Sequence, residues 1–232
     1  MIENRGGAGG VIGSEVVAKA PADGYTIMMV SASHVINPSM QKSLPYDTIK
    51  DFSGISLVAE VPTVLVVHPS VQANSLKELI ALAKENPGKI NFATAGNGTV
   101  GHLSGELLMS MAQIKMEHVA YKGNGPAMTD LLGGHVQMLF GSMPSALPHI
   151  KSGALRALVV TAPKRSAAAP NIPSTAEAGM PGFYVSTGFG LFAPAKTPRA
   201  VINKLHAEVV KSLKMPEVRD RLAGQGAEPV GS

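Results

Sequence analysis

Between Pro87 and Leu108 the chain reads Pro-Gly-Lys-Ile-Asn-Phe-Ala-Thr-Ala-Gly-Asn-Gly-Thr-Val-Gly-His-Leu-Ser-Gly-Glu-Leu-Leu, and no other segment restricts the fold as much. The apolar run Ile90, Phe92, Ala93 predicts a short strand. The glycines predict a tight turn, and Val100, Leu103, Leu107 and Met111 predict the buried stripe of a helix. Strand, glycine turn and helix in that order belong to an α/β fold. The N–H groups of a first helical turn have no helical partners, and the positive end of the macrodipole lies behind them. A carboxylate or phosphate oxygen is therefore expected at Ala95, Gly96, Asn97, Gly98 and Thr99.

Gly96, Gly98 and Gly101 also spell G-x-G-x-x-G, the dinucleotide fingerprint, so an α/β enzyme binding its cofactor at Gly96–Gly101 is one alternative. That fingerprint needs an acidic residue about 20 positions on, at the carboxyl end of the next strand. Glu117 has the spacing, but His118-Val119-Ala120-Tyr121 continues the strand beyond it, so Glu117 is expected at the wrong end. No cofactor is expected.

Other chemistries are excluded by what the 232 residues lack. There is no Cys, which rules out disulfides, thiol nucleophiles and cysteine metal sites. No H-E-x-x-H, no G-x-S-x-G and no paired carboxylates accompany the glycine turn, so neither an enzyme nor a metal site is expected. The formal charge is +4, yet the basic residues are scattered and aromatics make up only 4%, a pattern that excludes a nucleic-acid partner. No run of about 18 apolar residues is present to span a membrane.

Strands and helices alternate along the rest of the chain. Val11 to Lys19 reads as a helix and Tyr25 to Val30 as a strand ending at Ser31-Ala32-Ser33-His34, which puts a polar cluster at a strand's carboxyl end. After Pro38 and the Leu44-Pro45-Tyr46-Asp47 loop, Ile55 to Val67 is an apolar stretch broken by Pro62. Ser75 and Glu78 form a capping box for a helix stopped by Asn86-Pro87-Gly88. Strands are expected at Met116–Tyr121, His135–Phe140, Leu155–Thr161 and Gly190–Pro194, with a last helix carrying Val201, Leu205, Val209 and Leu213. If the chain crosses between lobes near Val67 and near Gly190, residues 1–66 plus 190–232 form one lobe and 67–189 the other, with a ligand in the cleft. Met1-Ile2-Glu3 reads as the tail of a strand, with no export signal before it, and Glu228 to Ser232 stops without a closing element. A chain truncated at both ends is the expectation.

Ordered matches along the whole chain now carry a resemblance. They are Glu3-Asn4-Arg5, Gly7-Ala8-Gly9-Gly10, Ala22-Asp23-Gly24-Tyr25-Thr26, Ile36-Asn37-Pro38, Leu44-Pro45-Tyr46-Asp47, Gly96-Asn97-Gly98-Thr99, His102-Leu103, Gly105-Glu106-Leu107, Tyr121-Lys122-Gly123, Pro144-Ser145-Ala146 and Leu191-Phe192-Ala193-Pro194. Together they resemble the periplasmic solute receptors of tripartite tricarboxylate transporters, the Bordetella uptake gene type. The resemblance implies a two-lobe, type II periplasmic-binding-protein fold, a periplasmic location, and a monomer that catalyses nothing. Such a receptor closes on a di-, tri- or aromatic carboxylate and delivers it to integral membrane subunits of the transporter. A ligand sensor reporting to a signalling receptor is the other role the same fold would serve.

Carried over position by position, the resemblance makes Ala95, Gly96, Asn97, Gly98 and Thr99 the carboxylate loop of the second lobe. It sets Ser31, Ser33 and His34 opposite them on the first lobe, and makes Tyr121, Gly123 and Ser142 the walls around the rest of the ligand. His102 is expected to be structural, and Met109 and Met111 to pack against the sheet. Four departures accompany the resemblance. The family's first strand and helix are absent, Gly141 stands where many relatives carry an acid, Gly188 where Trp is frequent, and Gly6 where Pro is usual. Without a carboxylate at Gly141 an ammonium loses a partner, so simple carboxylates are expected to bind better than amino acids.

Overall fold

A computed structural model describes residues 1–232. After a 3₁₀ turn at Ala8–Gly10 come α1 (Val11–Ala18), β1 (Met28–Ser31), α2 (Ser33–Met40), β2 (Phe52–Val67), α3 (Leu76–Glu85), β3 (Asn91–Thr94) and α4 (Val100–Ala112). The chain continues through β4 (Glu117–Ala120), α5 (Asn124–Leu132), β5 (Met138–Ser142), α6 (Met143–Lys151), β6 (Arg156–Val160), β7 (Ser186–Pro194), α7 (Arg199–Lys214), α8 (Pro216–Gly224) and β8 (Glu228–Pro229). No helix is long and apolar enough to cross a membrane.

β2 organises the sheet because it changes partners partway along. Over Phe52–Pro62 it runs antiparallel to β7, which pairs on its other edge with β1; over Thr63–Val67 it pairs with β5 on one side and β6 on the other. Beyond β5 lie β3 and then β4, all three parallel. The change falls at Pro62, which has no N–H to give to a ladder, so the proline that the sequence suggests as a break sits inside one continuous strand. Thr63 and Thr161 pin the junction: Thr161 N–H donates to Thr63 O at 2.9 Å, and Val185 N–H donates to Thr161 O at 3.0 Å.

Two apolar clusters cover opposite faces of the β2–β6 part of the sheet. One gathers Val64, Leu131, Leu139, Met143 and Val160 under α5 and α6; the other gathers Leu65, Leu79, Phe92, Leu108, Met138 and Phe183 under α3 and α4. The β1–β7 end has a smaller core of Val17, Met28, Tyr46 and Phe52.

Four elements differ from the sequence reading. α2, a helix absent from the sequence reading, runs through Pro38. α8 starts at Pro216 without an apolar stripe to announce it, and β8 pairs with Ala59 and Glu60 of β2, so the segment from Glu228, expected from the sequence to stop without a closing element, is tied to the sheet. In α4 the buried face is Val100, Ser104, Gly105 and Leu108, whereas Leu107 and Met111 are exposed. The physical reason is Gly105: a methyl group there would lie 2.2 Å from the Phe92 ring, so α4 turns its smallest residues to the sheet.

Candidate functional site

Because β3, β4 and β5 are parallel, their carboxyl ends share one edge. The loops leaving that edge run directly into the N-termini of α4, α5 and α6. Three helix N-termini therefore converge where an anion gains most from unpaired amides. The segment 95–99 lies between β3 and α4, Tyr121 and Gly123 lie between β4 and α5, and Ser142 ends β5 and immediately precedes α6.

The amides of the 95–99 loop are sorted by their partners. Gly96 N–H donates to Thr94 Oγ1 at 3.2 Å, Gly98 N–H to His102 Nδ1 at 3.3 Å, and Thr99 N–H to Gly96 O at 3.4 Å. The Thr99 hydroxyl donates to Gly96 O at 2.7 Å and caps α4 by accepting from His102 N–H. The Ala95 and Asn97 N–H groups, together with those of the first turn of α4 at Val100 and Gly101, have no bond to any protein acceptor. Gly96 at φ 133° and Gly98 at φ 73° hold backbone conformations that a side chain would strain.

Two histidines back this loop. His118 Nε2 lies 2.6 Å from Thr94 Oγ1, and its ring stacks on His102 with centroids 4.2 Å apart. Burial first, and the neighbouring His102 second, lower the His118 pKa to about 4. The ring is therefore neutral and hydrogen-bonds the Thr94 hydroxyl, while Thr94 Oγ1 accepts from Gly96 N–H. His102 Nδ1 accepts from Gly98 N–H, a hydrogen bond that ties its ring to the loop.

The first-sheet elements lie close against the same loop. A methyl group added at Gly9 would sit 3.1 Å from Asn97 O and 3.3 Å from Asn37 Oδ1; one at Gly98 would sit 3.3 Å from Met40; one at Gly6 would sit 3.5 Å from Lys122 O. On α2, Ser33, Asn37 and Met40 are spaced to share a face. Ser33 is buried and accepts a bond from the Ser31 hydroxyl at 3.2 Å. Asn37 was missed as a site residue by sequence reasoning, since only its place between Ile36 and Pro38 marked it.

His34 is placed elsewhere. It is buried against Tyr46, Phe52 and Phe192, with Nδ1 3.1 Å from Ser14 Oγ, and burial lowers its pKa. Tyr121 turns its hydroxyl away to Asp130, donating at 2.6 Å, and desolvation with that carboxylate beside it pushes the phenol up to about 12. Its carbonyl, by contrast, faces the loop, 3.4 Å from where a Gly96 methyl would lie. A methyl at Gly123 would meet nothing within 4 Å. Ser142 Oγ is 3.0 Å from Ser145 Oγ, which accepts from Asn124 Nδ2 at the same distance, so the first turns of α5 and α6 are joined.

The dinucleotide alternative lacks its acid. Glu117 begins β4, and its carboxylate lies 3.4 Å from the Cβ position of Gly88, at the amino end of the parallel strands and opposite the glycine loop. No group of three His, Cys, Asp or Glu side chains is arranged to hold a metal ion.

Residues 1–232 match the family described as tripartite tricarboxylate transporter family receptor. An uncharacterised protein encoded between tcbD and tcbE in Pseudomonas sp. strain P51 is 41% identical over the whole chain, which spans 69% of that protein. The periplasmic binding protein BugD superposes with a TM-score of 0.95 at 36% identity, covering all of this chain and 77% of BugD. R. palustris Rpa4515, solved with adipate, gives 0.97 at 34% identity over all of this chain and 78% of that one.

Proposed function

Because this chain belongs to the tripartite tricarboxylate transporter receptor family, whose members are periplasmic binding proteins, we propose that it captures an organic carboxylate between two lobes and hands it to the transporter's membrane subunits. The observation that carries this reading is the set of amides at Ala95, Asn97, Val100 and Gly101 that no protein acceptor uses, at an edge where three helices begin. Such a site holds a carboxylate by backbone N–H groups and dipoles instead of an Arg. That a family member was solved with adipate supports the substrate class.

In this proposal the lobes are residues 1–66 plus 190–232 and residues 67–189. Support comes from β2, which exchanges β7 for β5 and β6 at Pro62, and from β7, which begins beside that point with Ser186 opposite Pro62; in this reading the two are the hinge strands. Gly96 and Gly98 shape the carboxylate loop, and Thr99 locks it. Ser31 and Ser33 face it from the other lobe, while His34 holds α2 in place through Ser14. The Tyr121 backbone, Gly123 and Ser142 bound the rest of the ligand. Closure excludes water and shifts an open–closed equilibrium by no more than the ligand's difference in affinity for the two forms. The receptor acts as a monomer, and with Gly141 in place of an acid it prefers a dicarboxylate to the corresponding amino dicarboxylate.

The test is thermal unfolding with adipate, succinate, citrate and benzoate, with NADH as the control. A ligand at a hundred times its Kd stabilises the native state by about 2.7 kcal/mol, or roughly 5–10 °C for a chain this long. A rise with one carboxylate class and none with NADH is expected. No rise with any carboxylate, or a rise with NADH, overturns the reading.

A further inference from the structure

Asn37 is fully buried, and its two amide atoms have different fates. Nδ2 donates to Gly9 O at 3.2 Å, tying α2 to the first glycine loop. Oδ1 has no hydrogen-bond partner, although a buried carbonyl without one costs free energy. That oxygen lies 3.3 Å from the Cβ position of Gly9 and 3.6 Å from that of Gly98, so it stands between the two glycine loops, one from each side of the cleft. A side chain at either glycine would crowd it, and both glycines have positive φ. On the second side the Gly98 N–H is held by a 3.3 Å bond to His102 Nδ1, long for its kind.

We propose that Asn37 is the positioning residue that latches the two sides of the cleft: it holds Gly9 through Nδ2 and receives the Gly98 side of the carboxylate loop at Oδ1. The latch makes the geometry of the 95–99 loop depend on closure. Closure draws this loop toward α2 and gives the orphan oxygen a donor, either the Gly98 N–H or a water, and a bound carboxylate strengthens that approach. Burial of the amide then becomes a preference for the closed form. The inference deepens the receptor reading and depends on it only for the identity of the ligand.

The chain has no cysteine, so paired labels can be placed uniquely. Ile49→Cys and Lys84→Cys lie on exposed positions of opposite sides, and their spin labels report the distance across the hinge. The experiment compares this labelled pair alone and combined with Asn37→Ala or Asn37→Asp, each with and without adipate, alongside unfolding midpoints. The expected result is a longer, broader distance distribution in both variants even without adipate. Adipate affinity should also fall at least ten-fold, chiefly through faster release, with Asp the weaker binder because its carboxylate opposes the anion.

Where Asn37→Ala leaves too little folded protein, Asn37→Asp and Gly98→Ala carry the same comparison. Distributions that coincide with the parent pair in every folded variant overturn the latch, as does an affinity loss without a change in distance. If adipate moves no distance in the parent pair, the receptor reading for that acid fails, while the ligand-free comparison still decides the latch.

Discussion

Replacing Gly105 by alanine sets two effects of known sign against each other. The position is interior to α4, where alanine improves helix propensity by about 1 kcal/mol over glycine. Against that, the new Cβ would meet three Phe92 ring carbons at 2.2, 2.7 and 2.8 Å. Carbon atoms prefer separations of about 3.5–4.0 Å, so helix or ring must give by more than an ångström. The ring has no free side to turn into, since it is fully buried and His118 stacks on it with centroids 5.0 Å apart. Overpacking of this kind costs about 1–3 kcal/mol, here the upper end, leaving a net loss of about 2 kcal/mol. For a chain of this length the melting midpoint should fall by roughly 4–8 °C. The helix that moves carries Thr99 and the carboxylate loop, so adipate binding should weaken as well. Gly224, the last residue of α8, is the control: a methyl group there meets nothing within 4 Å, and alanine should raise the midpoint by about 1–4 °C. Calorimetry of both variants decides the matter. A Gly105→Ala protein as stable as the parent would refute close packing of α4 on Phe92 as the reason for glycine.

Other consequences follow from the hydrogen bonds behind the loop. His118 has a pKa of about 4 in the fold against 6.5 ordinarily, so the unfolded chain binds more protons between those values. Its contribution to stability is complete above about pH 6.5 and is lost as the pH falls towards 4. That contribution is roughly 1–2 kcal/mol, discounted for a half-exposed ring, and His118→Gln should flatten the stability profile in that window. Thr94→Val leaves Gly96 N–H without its acceptor; it should cost about 1–3 kcal/mol in urea unfolding and weaken adipate binding, whereas an unchanged affinity would remove Thr94 from the scaffold of the loop. Tyr121→Phe removes only the bond to Asp130 and should lower stability by about 1 kcal/mol with adipate affinity unchanged; an affinity loss would mean the hydroxyl reaches the ligand. In a competition assay glutamate should bind more weakly than glutarate, and the reverse order would refute the argument from Gly141.

What could be read from the sequence here divides by range. The capping box is local, and in the structure Glu78 N–H donates to Ser75 Oγ at 3.2 Å, with the Glu78 carboxylate accepting from Asn74 N–H. The strand, turn and helix around Gly96 were equally legible, because glycine spacing and apolar runs act within one element. The face of α4 was not. Periodicity selected Leu107 and Met111, while the fit of Gly105 against Phe92, thirteen residues earlier on another element, turned the helix to bury Ser104 and Leu108 instead. The same limit applies to the candidate site. Thr94 with His118 and Ser14 with His34 are contacts between elements, and nothing in their local sequence signals them. Polarity at a strand end made His34 look like a site residue; its three aromatic neighbours, Tyr46, Phe52 and Phe192, come from distant segments and draw it into a core. Asn37 is the converse. Followed by proline on a short helix, it has the local pattern of a turn former, and only the approach of Gly9 and Gly98 gives its buried oxygen a place in the cleft. Backbone amides explain why the site resists reading: every residue but proline has an N–H, and what selects Ala95 and Asn97 is that Thr94, His102 and Gly96 have already taken the others.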